Sequence, residues 1–164
     1  MNDVDLPGTP VVELDTNGGT LDVSGPGIPH VRLVRAAGAR VDPHIPIGTR
    51  DPALLTLTVD GVAARILPAK GRISRRSYRV DAAAGGTAYR LVPASYADSR
   101  FLKDGRRLGR LDSTGDGTVG AEWHGDATVR PQDVAVGTAL AAAFGTGAAP
   151  WWETTLDVIA DLVP

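Results

Sequence analysis

No cysteine occurs anywhere in the 164 residues. Disulfide staples, thiolate metal sites and cysteine nucleophiles are therefore excluded. Lysine is nearly absent too: only Lys70 and Lys103 stand beside fifteen arginines. Abundant alanine and glycine accompany that skew, which reads as GC-rich coding bias and carries no functional weight. No uninterrupted run of about 18 apolar residues exists, so a transmembrane helix is not expected. The stretch Met1 to Thr9 is acidic and lacks the basic-then-apolar layout of a secretory signal. With the missing cysteines, this sets the expectation of a cytoplasmic protein.

What is present argues for a folded, turn-rich chain. Hydrophobic residues make up 43% and charged residues 22%, which fits one globular domain with room for a core. Twenty glycines and twelve prolines favour many turns over long helices. Residues 1–10, with Asp3, Asp5, Pro7, Gly8 and Pro10, read as a flexible tail. A short strand is expected at Val11 to Leu14, a turn-rich stretch from Asn17 to Gly27, and a strand at His30 to Val34. Ala36 to Pro52, interrupted by Pro43, Pro46 and Pro52, reads as a loop packed across the domain.

From Leu54 onward the pattern sharpens. Leu55, Leu57 and Val59 alternate with Thr56 and Thr58, and Asp60-Gly61 separates them from Val62 to Leu67. Asp-Gly favours a two-residue hairpin turn because both positions tolerate positive φ. Gly85-Gly86 and Asp104-Gly105 repeat the device. Regular hairpins of this kind predict an antiparallel meander that forms a barrel or curled sheet.

The period changes at Pro131, which suits a first helical turn. Gln132 and Asp133 then place polar and negative groups at the positive end of the dipole. Val134 to Phe144 contains no charge at all, and Gly145 supplies a stop. A helix over 131–144 that is apolar on every side must be surrounded by protein. At about 21 Å it is too short to cross a bilayer. Burying Val134, Val136, Leu140 and Phe144 contributes about 6–12 kcal/mol before entropy is subtracted. A second, terminal surface helix is expected at 151–163. Trp152, Leu156, Ile159 and Val163 share one face there, and Glu153, Asp157 and Asp161 lie away from it. Anionic lipid would repel that acidic face.

Candidate catalytic chemistry is thin. Glu122, His124 and Asp126 share a face if their strand is regular and could hold a divalent metal. A solvated polar face opposite an inward Trp123 is the favoured reading, because nothing in the sequence supplies a second cluster of ligands. Asp112-x-Thr114-x-Asp116-Gly117 opens like a calcium loop, but Trp123 stands where the closing acid belongs. A hairpin turn accounts for the same residues. The three histidines, His30, His44 and His124, accompany no Gly-x-Ser-x-Gly elbow and no phosphate-loop motif. No catalytic residue, metal site or cofactor is assigned.

Charge is distributed unevenly. Between Gly61 and Leu111 lie twelve basic and three acidic residues, a net +9, whereas the remainder carries −11, together giving −2. Lys70, Arg72, Arg75, Arg76 and Arg79 form the densest run, and Arg106 and Arg107 belong to the stretch Arg100 to Arg110. Forked guanidinium donors suit phosphate, so these seven residues are the candidate anion site. An anionic lipid headgroup or an acidic protein is the favoured partner, and nucleic acid a less favoured one. The competing reading is internal complementarity, in which the acidic ends of the same chain neutralise the basic hairpins. That leaves a structural or regulatory homo-oligomer with no small-molecule ligand as the alternative.

Residues 54–145 carry a resemblance. Leu54-Leu55-Thr56-Leu57-Thr58-Val59, the hairpins after it, and Pro131-Gln132-Asp133-Val134-Ala135-Val136-Gly137 through Phe144 together resemble the tubby C-terminal-like superfamily, which includes phospholipid-scramblase-like proteins. The likeness is one of pattern, and no functional positions are carried over from it. It implies a closed antiparallel barrel around a hydrophobic helix, and members of that superfamily include phosphoinositide binders. The Pro-rich first third and the acidic, Trp-containing extension depart from the pattern.

Overall fold

Among the described residues, the alternating apolar segments after Thr9 become strands. A computed structural model of the chain describes residues 8–69, 78–95 and 97–146. Among these residues lie ten strands: β1 Val11–Asp15, β2 Thr20–Ser24, β3 Val31–Arg35, β4 Leu55–Val59, β5 Val62–Pro68, β6 Val80–Ala84, β7 Thr87–Pro93, β8 Asp98–Lys103, β9 Arg106–Ser113 and β10 Val119–Trp123. Each pairs antiparallel with the next, so spatial order equals chain order. The helix α1 follows at Pro131–Phe144. The first seven residues of the expected tail, the expected helix at 151–163, and Lys70, Arg72, Arg75 and Arg76 lie outside the described residues.

Three hairpins use the turns that their residues dictate. The φ angles are 47° and 77° at Asp60-Gly61, 56° and 80° at Gly85-Gly86, and 49° and 80° at Asp104-Gly105. Positive φ at both positions matches the twist of the flanking strands. The two aspartates also reach across to a neighbouring strand. Asp60 Oδ1 accepts from His30 N at 2.7 Å, and Asp104 Oδ1 accepts from Ala88 N at 3.0 Å.

The sheet curls around α1. Helix residues touch β1, β2 and β3 from one half of the sheet and β7, β9 and β10 from the other. Asp133 through Ala143 are all buried, as a stripe-free apolar helix requires. Leu21, Val23, Val31, Leu33, Phe101 and Leu111 supply the facing layer. The turn at Gly117 comes up against Val12 and Leu14 of β1. No ladder joins β1 to β10 among the described residues, so the sheet is curled and open rather than the closed barrel that the resemblance implies.

Two local readings need correction. The supposed turn-rich stretch from Asn17 to Gly27 contains β2. Leu21 and Val23 are fully buried there while Ser24 faces out, a strand too short to stand out between Gly18-Gly19 and Gly25. The next strand begins at Val31 rather than His30, whose backbone N–H is taken by Asp60.

The segment between β3 and β4 packs over the end of α1 as expected. Ile47 is fully buried and its N–H donates to Ala143 O at 3.0 Å. Arg50 sits beside it, with its guanidinium 5.5 Å from the Phe144 ring centroid and 5.6 Å from that of Tyr78. Its N–H groups donate to Ala69 O and Tyr78 O, both at 2.7 Å. Burial lowers its pKa to about 10, so it stays charged at neutral pH. Hydrogen bonds from a charged donor contribute about 1.5–3 kcal/mol each. Arg50→Ala is therefore expected to lower the urea midpoint and to speed exchange of the Ala69 amide, which donates to Arg79 O at 2.9 Å. Unchanged exchange at Ala69 would mean that Arg50 does not hold this neck together.

Candidate anion-binding face

Strand alternation, with one register shift, sorts five arginines of β5–β9 onto the outside of the sheet: Arg65, Arg90, Arg100, Arg107 and Arg110. Arg65, Arg90, Arg100 and Arg110 are exposed, each between buried neighbours or beside one. Register then assembles them. Arg100 pairs directly opposite Arg110, and Leu102 lies between Arg90 on one side and Arg107 on the other. The register shift at Phe101/Leu102 matters here. A strict two-residue period would put Arg107 and Arg110 on opposite faces. The extra residue in β9 buries both Leu108 and Gly109 and leaves both arginines outside.

Some of these cations are partnered. Arg90 Nε lies 2.6 Å from Asp81, whose hydrogen bond and charge raise the arginine pKa. Arg79 is 3.8 Å from the same carboxylate, and Arg110 is 3.4 Å from Asp98. Lys103 turns inward, its ammonium 2.9 Å from Asp133. Arg65, Arg100, Arg106 and Arg107 have no carboxylate within 4.0 Å among the described residues. Only the Lys103–Asp133 pair links the basic stretch to an acid elsewhere in the described chain. Internal complementarity is thus partial.

Beside the arginines, the outer surface of β5–β8 dips into a depression of about 540 Å³. Leu67, Ala83, Ala88 and Leu102 form its apolar part, and its charged part sets Arg65 and Arg90 beside the carboxylates Asp81 and Asp104. Leu67 is 39% exposed, high for a leucine in a sheet. Of the seven residues singled out from the sequence, Arg79, Arg106 and Arg107 are described and exposed. Arg107 joins the outer face, and Arg106 stands opposite Lys103 at the Asp104-Gly105 turn. Arg65, Arg90, Arg100 and Arg110 were not among those seven. Their alternation with buried residues is the signal that finds them.

The other candidate clusters dissolve. β10 ends at Trp123, so Glu122, His124 and Asp126 do not share a strand face. Trp123 packs edge-on to Phe101 at 6.3 Å, as an inward residue should. Among the described residues no group of three His, Asp or Glu side chains is placed to hold a metal ion. Asp116 accepts from the Thr114 hydroxyl and from Thr118 N, bonds that lower its pKa and close the β9–β10 hairpin.

No helix among the described residues is long and apolar enough to cross a membrane. No protein-family model, curated protein or solved structure matches the chain.

Proposed function

We propose that this protein is a binding module for an anionic ligand, most specifically a phosphorylated lipid headgroup, which it meets through the outer face of β7–β9. One observation carries the reading. Arg100 and Arg110 face each other across a ladder, with Arg107 nearby, and neither Arg100 nor Arg107 has a carboxylate partner among the described residues. Like charges directly opposite on a sheet are destabilising; Asp98 at 3.4 Å and Glu122, opposite on β10, already relieve Arg110, and an anion would relieve Arg100. Forked guanidinium donors match phosphate oxygens. The Lys70 to Arg79 run adds charge between β5 and β6. The resemblance to the tubby C-terminal-like superfamily, with its phosphoinositide binders, supports the same ligand class.

Vesicle sedimentation tests it. The chain is expected to bind phosphatidylcholine vesicles doped with a phosphoinositide and to ignore pure phosphatidylcholine. Each cation near an anionic leaflet contributes about 1 kcal/mol. Arg100→Glu/Arg107→Glu, and separately Arg75→Glu/Arg76→Glu, should thus weaken binding by at least about 30-fold. Raising salt should weaken it as well. Equal binding to neutral vesicles, or charge-reversed variants that bind normally, would refute the reading. Competition by soluble inositol phosphates separates headgroup recognition from general attraction to a charged surface.

A further inference from the structure

Two neighbouring rows on the outer face of β5–β8 differ in the size of their side chains. One row runs Arg65–Ala83–Ala88 by register. It ends at Asp104, whose N–H donates to Ala88 O at 2.7 Å and whose Oδ1 accepts from Ala88 N at 3.0 Å. The next row runs Leu67–Asp81–Arg90–Leu102. Paired alanines in the first row, beside the longer side chains of the second, open the depression of about 540 Å³. That is the size of a small-molecule site, and Arg100, Arg107 and Arg110 do not line it.

Its charges cancel, two of each sign: Arg65 and Arg90 against Asp81 and Asp104. Asp81 and Arg90 satisfy each other at 2.6 Å in the second row. Arg65 and Asp104 are left over, at opposite ends of the alanine floor. Among the described residues, Arg65 has no carboxylate within 4.0 Å and Asp104 no cation within that distance. Three ladder steps separate the two, about 14 Å between Cα atoms, and both side chains line the dip between. A simple anion would meet Asp81 and Asp104 as well as the arginines, and gains little there.

We infer that this depression binds tripeptide-sized peptides with both termini free. The terminal carboxylate meets the Arg65 guanidinium and the terminal ammonium meets the Asp104 carboxylate, both as charge-assisted contacts. An extended tripeptide spans about 10 Å at roughly 3.3–3.6 Å per residue, and the two side chains close the remaining gap at either end. Its central side chain rests on Ala83 and Ala88 between Leu102 and Leu67, the latter already 39% exposed. An apolar side chain is favoured there. Zwitterions whose charges sit closer together, free amino acids and phosphocholine among them, cannot reach both ends. The depression uses none of the arginines of the anion face, so it stands or falls separately from the binding function proposed above.

Titration of the full chain with the tripeptide Ala-Leu-Ala, followed by amide NMR, tests the site. The free peptide at millimolar concentration should shift the Ala83, Ala88 and Leu102 amides. Amidating its C-terminus or acetylating its N-terminus should each weaken binding about ten-fold, the size of one hydrogen bond to a charged group. Arg65→Gln should bind free and C-amidated peptide alike. Asp104→Asn should bind free and N-acetylated peptide alike. That change keeps the turn, because asparagine also accepts the φ of 49° at this position and retains an Oδ1 for Ala88 N. No shift at those amides, equal binding of free and doubly capped peptide, or termini still told apart by both variants would overturn the site. So would phosphocholine shifting the same amides as strongly, which would give the depression to a lipid headgroup instead.

Discussion

Gly137→Leu is expected to leave the chain unable to fold, and Gly137→Ala to lower the denaturation midpoint even though alanine is the better helix former. A Cβ placed on Gly137 would lie 2.8 Å from Phe101 Cε1 and 3.2 Å from Leu111 Cδ1. The Phe101 ring has nowhere to go. It is fully buried, stacked on Tyr89 at 5.5 Å with 3° between planes, and held edge-on by Trp123. Overpacking costs about 1–3 kcal/mol in such a setting. Removing a helical glycine returns only about 1 kcal/mol, so the balance falls on destabilisation. A leucine would add three more carbons to the same clash. The double variant Gly137→Ala/Phe101→Leu makes space and is expected to be less destabilised than the two single changes added together, by about 0.5–3 kcal/mol. A Gly137→Ala chain more stable than the native one would show that α1 does not sit against β8 this closely.

That contact explains why the helix could be read from sequence so well. Pro131 to Phe144 is bounded by a residue that starts helices and one that stops them, and no charge interrupts it between Val134 and Phe144. Its bounds and its burial follow from elementary requirements alone. The Asp60-Gly61, Gly85-Gly86 and Asp104-Gly105 hairpins were legible for a similar reason, since few residues accept the backbone those turns impose. β2 was hidden because Leu21-Asp22-Val23 offers a single alternation between glycines. Its strand character comes from pairing with both β1 and β3, a tertiary fact. The open edge between β1 and β10 was equally out of reach, because closure depends on curvature summed over ten strands.

The site was legible in charge but not in geometry. Composition located the basic half of the chain, yet which arginines face out together depends on register. The bulge that exposes both Arg107 and Arg110 leaves no mark in the sequence beyond Gly109. Lys103 was counted with the basic stretch, but the structure removes it from the outer face by pairing it with Asp133. Asp133, placed by the sequence at the positive end of the helix dipole, proves to be 1% exposed.

That buried carboxylate gives the second large effect. Asp133→Ala is expected to cost about 3–5 kcal/mol, the range for breaking a buried ion pair by removing one partner. The Asp133 carboxylate accepts from Tyr89 Oη at 2.6 Å, Lys103 Nζ at 2.9 Å and the Arg130 N–H at 2.8 Å. One side chain therefore ties β7, β8 and the start of α1 together, and its loss leaves three donors short of a partner. The same cluster predicts a pH signature. Burial, and then the hydrogen bond to Asp133, raise the Tyr89 pKa well above its ordinary value of 10.0. Above that pH the unfolded chain releases a proton that the folded chain keeps. The stability this phenol contributes is complete below pH 10 and drains away as pH rises toward the folded pKa. Arg50 works in the other direction. Burial lowers its pKa to about 10, so above that pH the unfolded chain holds more protons and stability from this group rises with pH. Native alkaline behaviour is the sum of both, and Tyr89→Phe separates them. Urea unfolding between about pH 8 and 11 should show Tyr89→Phe starting from lower stability at pH 8 and losing less of it on the way up. A variant whose curve runs parallel to the native one would mean that the Tyr89 phenol is not held by Asp133 in solution, and the three-way tie at the head of α1 would have to be withdrawn.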